Sequence, residues 1–282
     1  MQGNSQSAFA RSKVYDPKVA LEFFRSAGKP EKIARGSTIF AENEKAQPLL
    51  FKRDKMYLLL EGEVALQAGR KPIGTVRAGE IFGELAAIAG DKRTATATAA
   101  TDCSVIGLDD REFRKALAKQ PSFALMLMSM IIGRIREGIA LLAERSRKLQ
   151  TAWKEPVLFN RKQLEELASG LADDPPIYFD RNKVIVEEGQ TGTRMYVVLK
   201  GRVMVYLDGE VVEKINPGGV FGELALVDQP TRLASVVAET DCELLPIGRD
   251  AFLAMVKTSP DFAASLLTAL SDRLKTVTAK LK

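Results

Sequence analysis

The chain has 282 residues, 46% hydrophobic and 27% charged, with a formal net charge of +5 and no histidine. This length suits about two domains, and the balance is that of an ordinary globular protein. The missing histidine removes the commonest general base and zinc ligand and argues against a hydrolase or a zinc enzyme, while two cysteines cannot build a metal cluster alone.

Met1 to Ala10 has neither the charged n-region nor the apolar h-region of a signal peptide, and residues 1–17 are expected to form a flexible N-terminus. A helix is predicted over Lys18 to Gly28. Short β-rich segments follow at Met56 to Leu60, Glu63 to Ala68, Ile73 to Val76 and Ser104 to Leu108, punctuated by turns such as Glu61-Gly62. Many short strands at this spacing predict a sandwich or roll of jelly-roll type. The pattern then turns helical over Arg111 to Lys119 and again from Pro121, a residue suited to a first helical turn because its missing N–H is not needed there.

Along that second helix Met128, Ile132, Ile135, Ile139, Leu142, Ser146 and Leu149 alternate four and three residues apart. Such a seam wants a partner, either another protomer, giving a homodimer, or the chain's own second domain. The longest apolar stretch, Phe123 to Gly133, is about half a membrane span, so no transmembrane segment is expected and the protein is placed in the cytoplasm. Basic residues gather at Arg134, Arg136, Arg145, Arg147, Lys148, Lys154, Arg161 and Lys162. They can touch nucleic acid or an acidic lipid surface, or form a solvated face, since Glu137, Glu144 and Glu155 are interleaved. The helix must end near Trp153 to Pro156, because the residue before a proline resists the α region. The expected domains are therefore 18–154 and 155–282.

The second domain repeats the first. A helix is predicted over Arg161 to Leu171, capped by Asn160, then strands at Arg194 to Lys200, Arg202 to Leu207, Val211 to Ile215 and Glu243 to Ile247. Phe82 and Phe221 are 221 − 82 = 139 positions apart, and the same offset relates Met56-Tyr57 to Met195-Tyr196, Thr101-Asp102-Cys103 to Thr240-Asp241-Cys242, and Arg134 to Arg273. No insertion interrupts that register from Met56 to Arg134. The period is far longer than the roughly 20 to 50 residues of solenoid repeats, so each copy is a whole domain. Cys103 and Cys242 hold equivalent places in different copies and read as small buried apolar groups of a reduced protein.

The centre of each copy is Phe-Gly-Glu-Leu-Ala, at Phe82 to Ala86 and Phe221 to Ala225, followed nine residues after its Glu by Arg93 or Arg232. Glycine lets a ligand approach the backbone, and a short helical turn after it offers N–H groups to an anion. The arginine fork suits a phosphate, and the glutamate suits a hydroxyl, as an acidic residue does for a ribose 2′-OH. Carboxylate, arginine and helix start together describe a sugar-phosphate site.

With these residues in hand, both copies resemble cyclic nucleotide-binding domains, the module of the catabolite activator protein and of the regulatory subunit of cyclic-AMP-dependent protein kinase. The cassette of that family is matched by Phe82-Gly83-Glu84-Leu85-Ala86 to Arg93-Thr94-Ala95-Thr96-Ala97 and by Phe221-Gly222-Glu223-Leu224-Ala225 to Arg232-Leu233-Ala234-Ser235-Val236. The resemblance implies an α+β protein of two β-jelly-roll (double-stranded β-helix) domains with flanking helices, joined by a long helix. It implies that Arg93 and Arg232 grip a cyclic phosphate, that Glu84 and Glu223 hold the ribose 2′-OH, and that N–H groups around Leu85-Ala86 and Leu224-Ala225 complete the cradles begun at Gly83 and Gly222. Thr94, and Leu233 and Ala234, follow the arginines. The base caps of the family come from the C-terminal helix, pointing to Ile139 in the first copy and Thr278 in the second. Copy one also carries roughly seven extra residues before Met56, expected to distort its early strands, and Leu233 is bulkier than the family's usual residue beside the phosphate.

The expected protein is a non-enzymatic receptor for cyclic AMP or cyclic GMP, with no catalytic residues, metal or cofactor, that signals to a protein partner by moving its C-terminal helices. The chain stops at Lys282, about twenty residues after Pro260, so no helix-turn-helix and no sequence-specific DNA binding are expected. The rival readings are a scaffold whose pockets have lost their ligand, and a nucleic-acid or membrane binder acting through the basic helix.

Overall fold

The computed structural model describes residues 15–45, 54–144, 159, 164, 175–227 and 231–281. The helix expected at Arg161 to Leu171, the boundary near Trp153, the seam positions Ser146 and Leu149, and the extra residues of copy one lie outside the described residues, apart from Leu164. The chain divides into two compact units, Met1–Gly133 with Ser259–Ser271 and Lys282, and Arg134–Thr258 with Asp272–Leu281.

The first unit opens with α1 (Pro17–Ala27), where proline sits in the first turn and the Asp16 side chain accepts from the Lys18 N–H at 2.8 Å. Eight strands follow: β1 (Lys29–Ile33), β2 (Thr38–Phe40), β3 (Lys55–Glu61), β4 (Glu63–Ala68), β5 (Lys71–Arg77), β6 (Ile81–Phe82), β7 (Thr96–Ala99) and β8 (Cys103–Asp109), with the short helix α2 (Glu84–Ala89) between β6 and β7. They pair antiparallel into two four-stranded sheets, β1-β8-β3-β6 and β2-β7-β4-β5. The core joins inward residues of both, Tyr57, Leu59, Phe82 and Val105 from one sheet and Phe40, Val64, Val76 and Ala97 from the other, the period-two burial of a sandwich.

Helix α3 (Asp110–Lys119) starts from a reciprocal capping box between Asp109 and Glu112. The long α4 (Ser122–Glu144) follows and reaches past Gly133 into the second unit. Its seam residues Met128, Ile132, Ile135 and Ile139 are buried within the chain itself.

The second unit repeats the plan in β9 (Ile177–Phe179), β10 (Val184–Val186), β11 (Arg194–Lys200), β12 (Val203–Leu207), β13 (Glu210–Ile215), β14 (Val220–Phe221), the short α5 (Leu224–Val227), β15 (Ser235–Ala238) and β16 (Cys242–Gly248), closed by α6 (Arg249–Thr258) and α7 (Pro260–Leu281). The sheets are β14-β11-β16-β9 and β10-β15-β12-β13. Cys103 and Cys242 are free and buried. Each thiol lies on two backbone carbonyls, Glu63 and Thr101 in the first unit, Arg202 and Thr240 in the second.

The early strands of copy one are not distorted. Phe40 pairs with Ala97 as Val186 pairs with Val236, each pair beside the same register shift. The turn before the insertion also matches: Asn43 N–H donates to the Arg93 carbonyl at 2.9 Å, as Gly189 N–H does to that of Arg232 at 3.0 Å. Asn43 takes a φ of 64° where Gly189 takes 81°, and asparagine tolerates that left-handed conformation better than most residues. The pairing of the early strands is therefore the same in both units. Among the described residues no helix is long and apolar enough to cross a membrane.

Candidate functional site

Each cassette begins where a two-residue strand ends on a glycine. Gly83 has a φ of 73° and Gly222 a φ of 84°, so the chain turns sharply from β6 into α2 and from β14 into α5. A Cβ on Gly222 would stand 2.5 Å from Arg232 Nη1, and one on Gly83 3.0 Å from Arg93 Nη1. The glycines are therefore required both by the turn and by the arginine that lies against it.

The two arginines are anchored alike. Arg93 donates from Nη1 to the Gly83 carbonyl at 2.7 Å and from Nη2 to the Lys55 carbonyl at 2.9 Å. Arg232 donates from Nη1 to the Gly222 carbonyl at 2.8 Å and from Nη2 to the Arg194 carbonyl at 2.5 Å. Each guanidinium thus ties the cassette turn to the first residue of the neighbouring long strand. Beneath them Tyr57 stacks on Phe82 and Tyr196 on Phe221, both with centroids 5.2 Å apart. Burial pushes the Tyr57 hydroxyl up to about 12. Burial lowers the pKa of Arg93 and of Arg232 below the ordinary arginine value.

In the second unit Gly222, Glu223, Leu224, Ala225, Arg232, Leu233 and Ala234 all line one cavity. Its lining mixes apolar side chains, among them Val186, Val205, Leu207 and Val212, with the charged groups Glu223, Arg232, Glu213 and Arg273. Such a lining suits a small ligand with an apolar ring and a polar or anionic part. Glu223 is fully buried, and its Oε2 has no hydrogen-bond partner. The Ala225 N–H turns back to the Gly222 carbonyl at 3.3 Å, so that cradle donor is already weakly engaged.

Three further groups were not visible in the sequence motif. Arg273 of α7 donates from Nη1 to Glu223 Oε1, from Nη2 to Glu213 Oε1 at 3.3 Å, and from Nη2 to the Val220 carbonyl at 2.9 Å. Burial alone lowers the pKa of Arg273, but attraction to Glu213 and Glu223 outweighs it, and the net shift is upward. Arg136 of α4 donates to the carbonyls of Leu224 at 3.4 Å and Thr231 at 3.3 Å. The repeat did mark Arg273 as the counterpart of Arg134, but nothing in it tied that arginine to Glu213, sixty residues away.

Ile139, expected to cap the first cradle, lines the cavity of the second unit. Thr278 is half-buried, and its hydroxyl donates to the Leu274 carbonyl at 2.8 Å within its own helix; it is not among the cavity's lining residues. In the first unit Glu84 and Ala86 are buried, and Gly83, Leu85 and Thr94 are half-buried. Arg93 lies 4.2 Å over the Phe40 ring, and its Nε faces Asp54 Oδ1 at 3.5 Å.

A family model described as "Cyclic nucleotide-binding domain" matches residues 30–120 and 176–259. The chain is 28% identical over 200 residues to the cAMP-dependent protein kinase regulatory subunit of Eremothecium gossypii, covering 71% of this chain and 39% of that one. It is 26% identical over 209 residues to the cGMP-dependent protein kinase egl-4 of Caenorhabditis elegans, covering 71% and 24%. With the Cyclic AMP receptor protein of Thermus thermophilus it shares 32% identity over 123 residues, 42% of this chain and 57% of that one. The chain thus spans about a quarter to two-fifths of the first two relatives. Among solved structures, the regulatory domain of Toxoplasma gondii PKA with cAMP is 22% identical, covers 90% of each chain and has a TM-score of 0.30.

Proposed function

The chain belongs to the cyclic nucleotide-binding domain family, and on that premise we propose that it is a non-enzymatic receptor for cyclic AMP or cyclic GMP. The observation that carries this reading is the second-unit cavity, where the cassette residues Gly222 to Ala225, Arg232 and the buried, half-unpaired Glu223 surround one space. A cyclic phosphate would meet Arg232, which has donors left after its two carbonyl bonds because a guanidinium carries five N–H groups. A ribose hydroxyl would give Glu223 Oε2 the partner it lacks, removing the cost of a buried unpaired carboxylate oxygen. The base would lie among the cavity's apolar side chains, which include Ile139.

The output is proposed to run through the helices to a protein partner, with a homodimer as one form of the assembly. Helix α4 supports this: it meets the second cassette through Arg136 and Ile139, so a ligand that favours one placement of that helix would shift its population. The test is calorimetric titration of the full chain with cyclic AMP and cyclic GMP, repeated on Arg93→Ala and Arg232→Ala. Saturable binding that is lost with the arginines supports the receptor and names the base. Absence of heat with either nucleotide at near-millimolar concentration sinks it in favour of a ligand-free scaffold.

A further inference from the structure

Strand β13 brings two consecutive side chains, Val212 and Glu213, to the cavity of the second unit, which the alternation of a regular strand does not allow. A bulge explains it. Against β12 the register passes from Val205 opposite Glu213 to Tyr206 opposite Val211, so Val212 is the extra residue. Both Val212 and Glu213 are buried. The first unit has the same irregularity, with Leu66 opposite Gly74 and Gln67 opposite Pro72, but there the repeat partner of Glu213 is Gly74, which has open space around it. The bulge belongs to the fold, and the second unit uses it to place a carboxylate in the cavity.

Of the described residues that line this cavity, four carry side chains able to hydrogen-bond: Glu213, Glu223, Arg232 and Arg273. Under the receptor reading Arg232 meets the phosphate and Glu223 the ribose, while Arg273 holds both acids and the Val220 carbonyl. Glu213 is the polar side chain left for the base. It is 2% exposed, and its Oε1 lies 3.3 Å from Arg273 Nη2, long for a charge-assisted bond. A carboxylate has about four acceptor sites, and beside a guanidinium it accepts and does not donate. Guanine presents N1–H and the N2 amino group side by side, two donors that match two carboxylate oxygens in the bidentate manner of a guanidinium. Adenine presents its N6 amino group between the acceptors N1 and N7, whose lone pairs a carboxylate repels.

We propose that Glu213 is a specificity-determining residue that reads the N–H edge of guanine and makes the second-unit cavity a site for cyclic GMP in preference to cyclic AMP. This inference rests on the receptor reading above and deepens it by naming the base.

The experiment is calorimetric titration of the full chain with cyclic GMP and with cyclic AMP, repeated in the Arg93→Ala background so that the heat reports on the second cavity. The natural chain is expected to bind cyclic GMP about tenfold or more tighter than cyclic AMP. Glu213→Gln keeps the shape of the side chain but exchanges one acceptor oxygen for an amino donor, a pattern that suits adenine N6 and N7, and is expected to bring the ratio of affinities to about one or below. Glu213→Gly, which copies the first unit, should abolish the preference as well, and it carries the test if the glutamine variant does not fold, as read from its melting curve. A purely structural role, the support of Arg273, would weaken both nucleotides alike and leave their ratio unchanged; that result in folded variants overturns the role of Glu213 while the receptor reading stands. Equal or tighter binding of cyclic AMP by the natural chain overturns the assignment of guanine, again without touching the receptor reading. No binding of either nucleotide overturns both.

Discussion

Arg273 has no escape from its two carboxylates: it, Glu213 and Glu223 are all almost fully buried. Arg273→Met removes the cation and leaves both acids without it, so the second unit should lose on the order of 3 to 5 kcal/mol of stability, read from urea unfolding. Ligand binding should fall with it, because Glu223 loses the donor that orients its Oε1. By contrast Arg232→Ala should cost on the order of 2 to 5 kcal/mol of nucleotide binding at its own cradle, through loss of the phosphate's charge partner. Calorimetry on the two variants separates a residue that binds from one that positions. The residues of the motif itself, Gly222 to Ala225 and Arg232, were legible because they lie close in sequence and recur. Asp54 and Glu213 were not, because each acts on an arginine 39 or more residues away and their repeat partners are Thr193 and Gly74.

At the scale of the elements, the cassette turn is held by backbone geometry. Gly222→Ala would place a Cβ in the left-handed region and against Arg232 Nη1, with an expected cost of about 1 to 2 kcal/mol and displacement of the guanidinium. Thermal melting and nucleotide titration of that variant should both fall, whereas an alanine at an exposed glycine such as Gly74, which has open space around it, should change neither. Strands β3, β4, β11 and β12 were readable from their alternating or continuous apolar character. Strand β1 was not: Lys-Pro-Glu-Lys-Ile looks like a loop, and it is a strand because β8 offers it a complete antiparallel edge. As the edge of its sheet it tolerates proline and charge. The α4 seam was legible as a buried stripe, but its two possible partners were equivalent to a pattern that encodes spacing alone.

On the scale of the whole chain, acid sensitivity has an identifiable source. Glu239 accepts from Lys214 at 2.6 Å and also pairs with Arg202. The Lys214 hydrogen bond chiefly, with Arg202, holds its carboxyl below the ordinary value of 4.5. Its contribution is therefore complete above that value and is lost as the pH falls through the lower folded one. Glu239→Gln should leave unfolding below pH 4.5 less pH-dependent than in the natural chain, measured by urea titration as the pH is lowered. A nucleotide present at about 100 times its Kd should add about 2.7 kcal/mol to the stability of whatever part binds it, and the rise in melting temperature should vanish in Arg232→Ala.

The sequence by itself determined the duplication, the sandwich class and the family of both domains, because those features are written in local spacing and repeated at a constant offset. The tertiary structure alone decided which groups face each cassette. Ile139 lines the second cavity, Arg273 meets Glu213, and Asp54 meets Arg93. Such pairings join residues distant in the chain, and their energies arise only when packing excludes water from both partners, a condition set by the fold and not by any short run of residues.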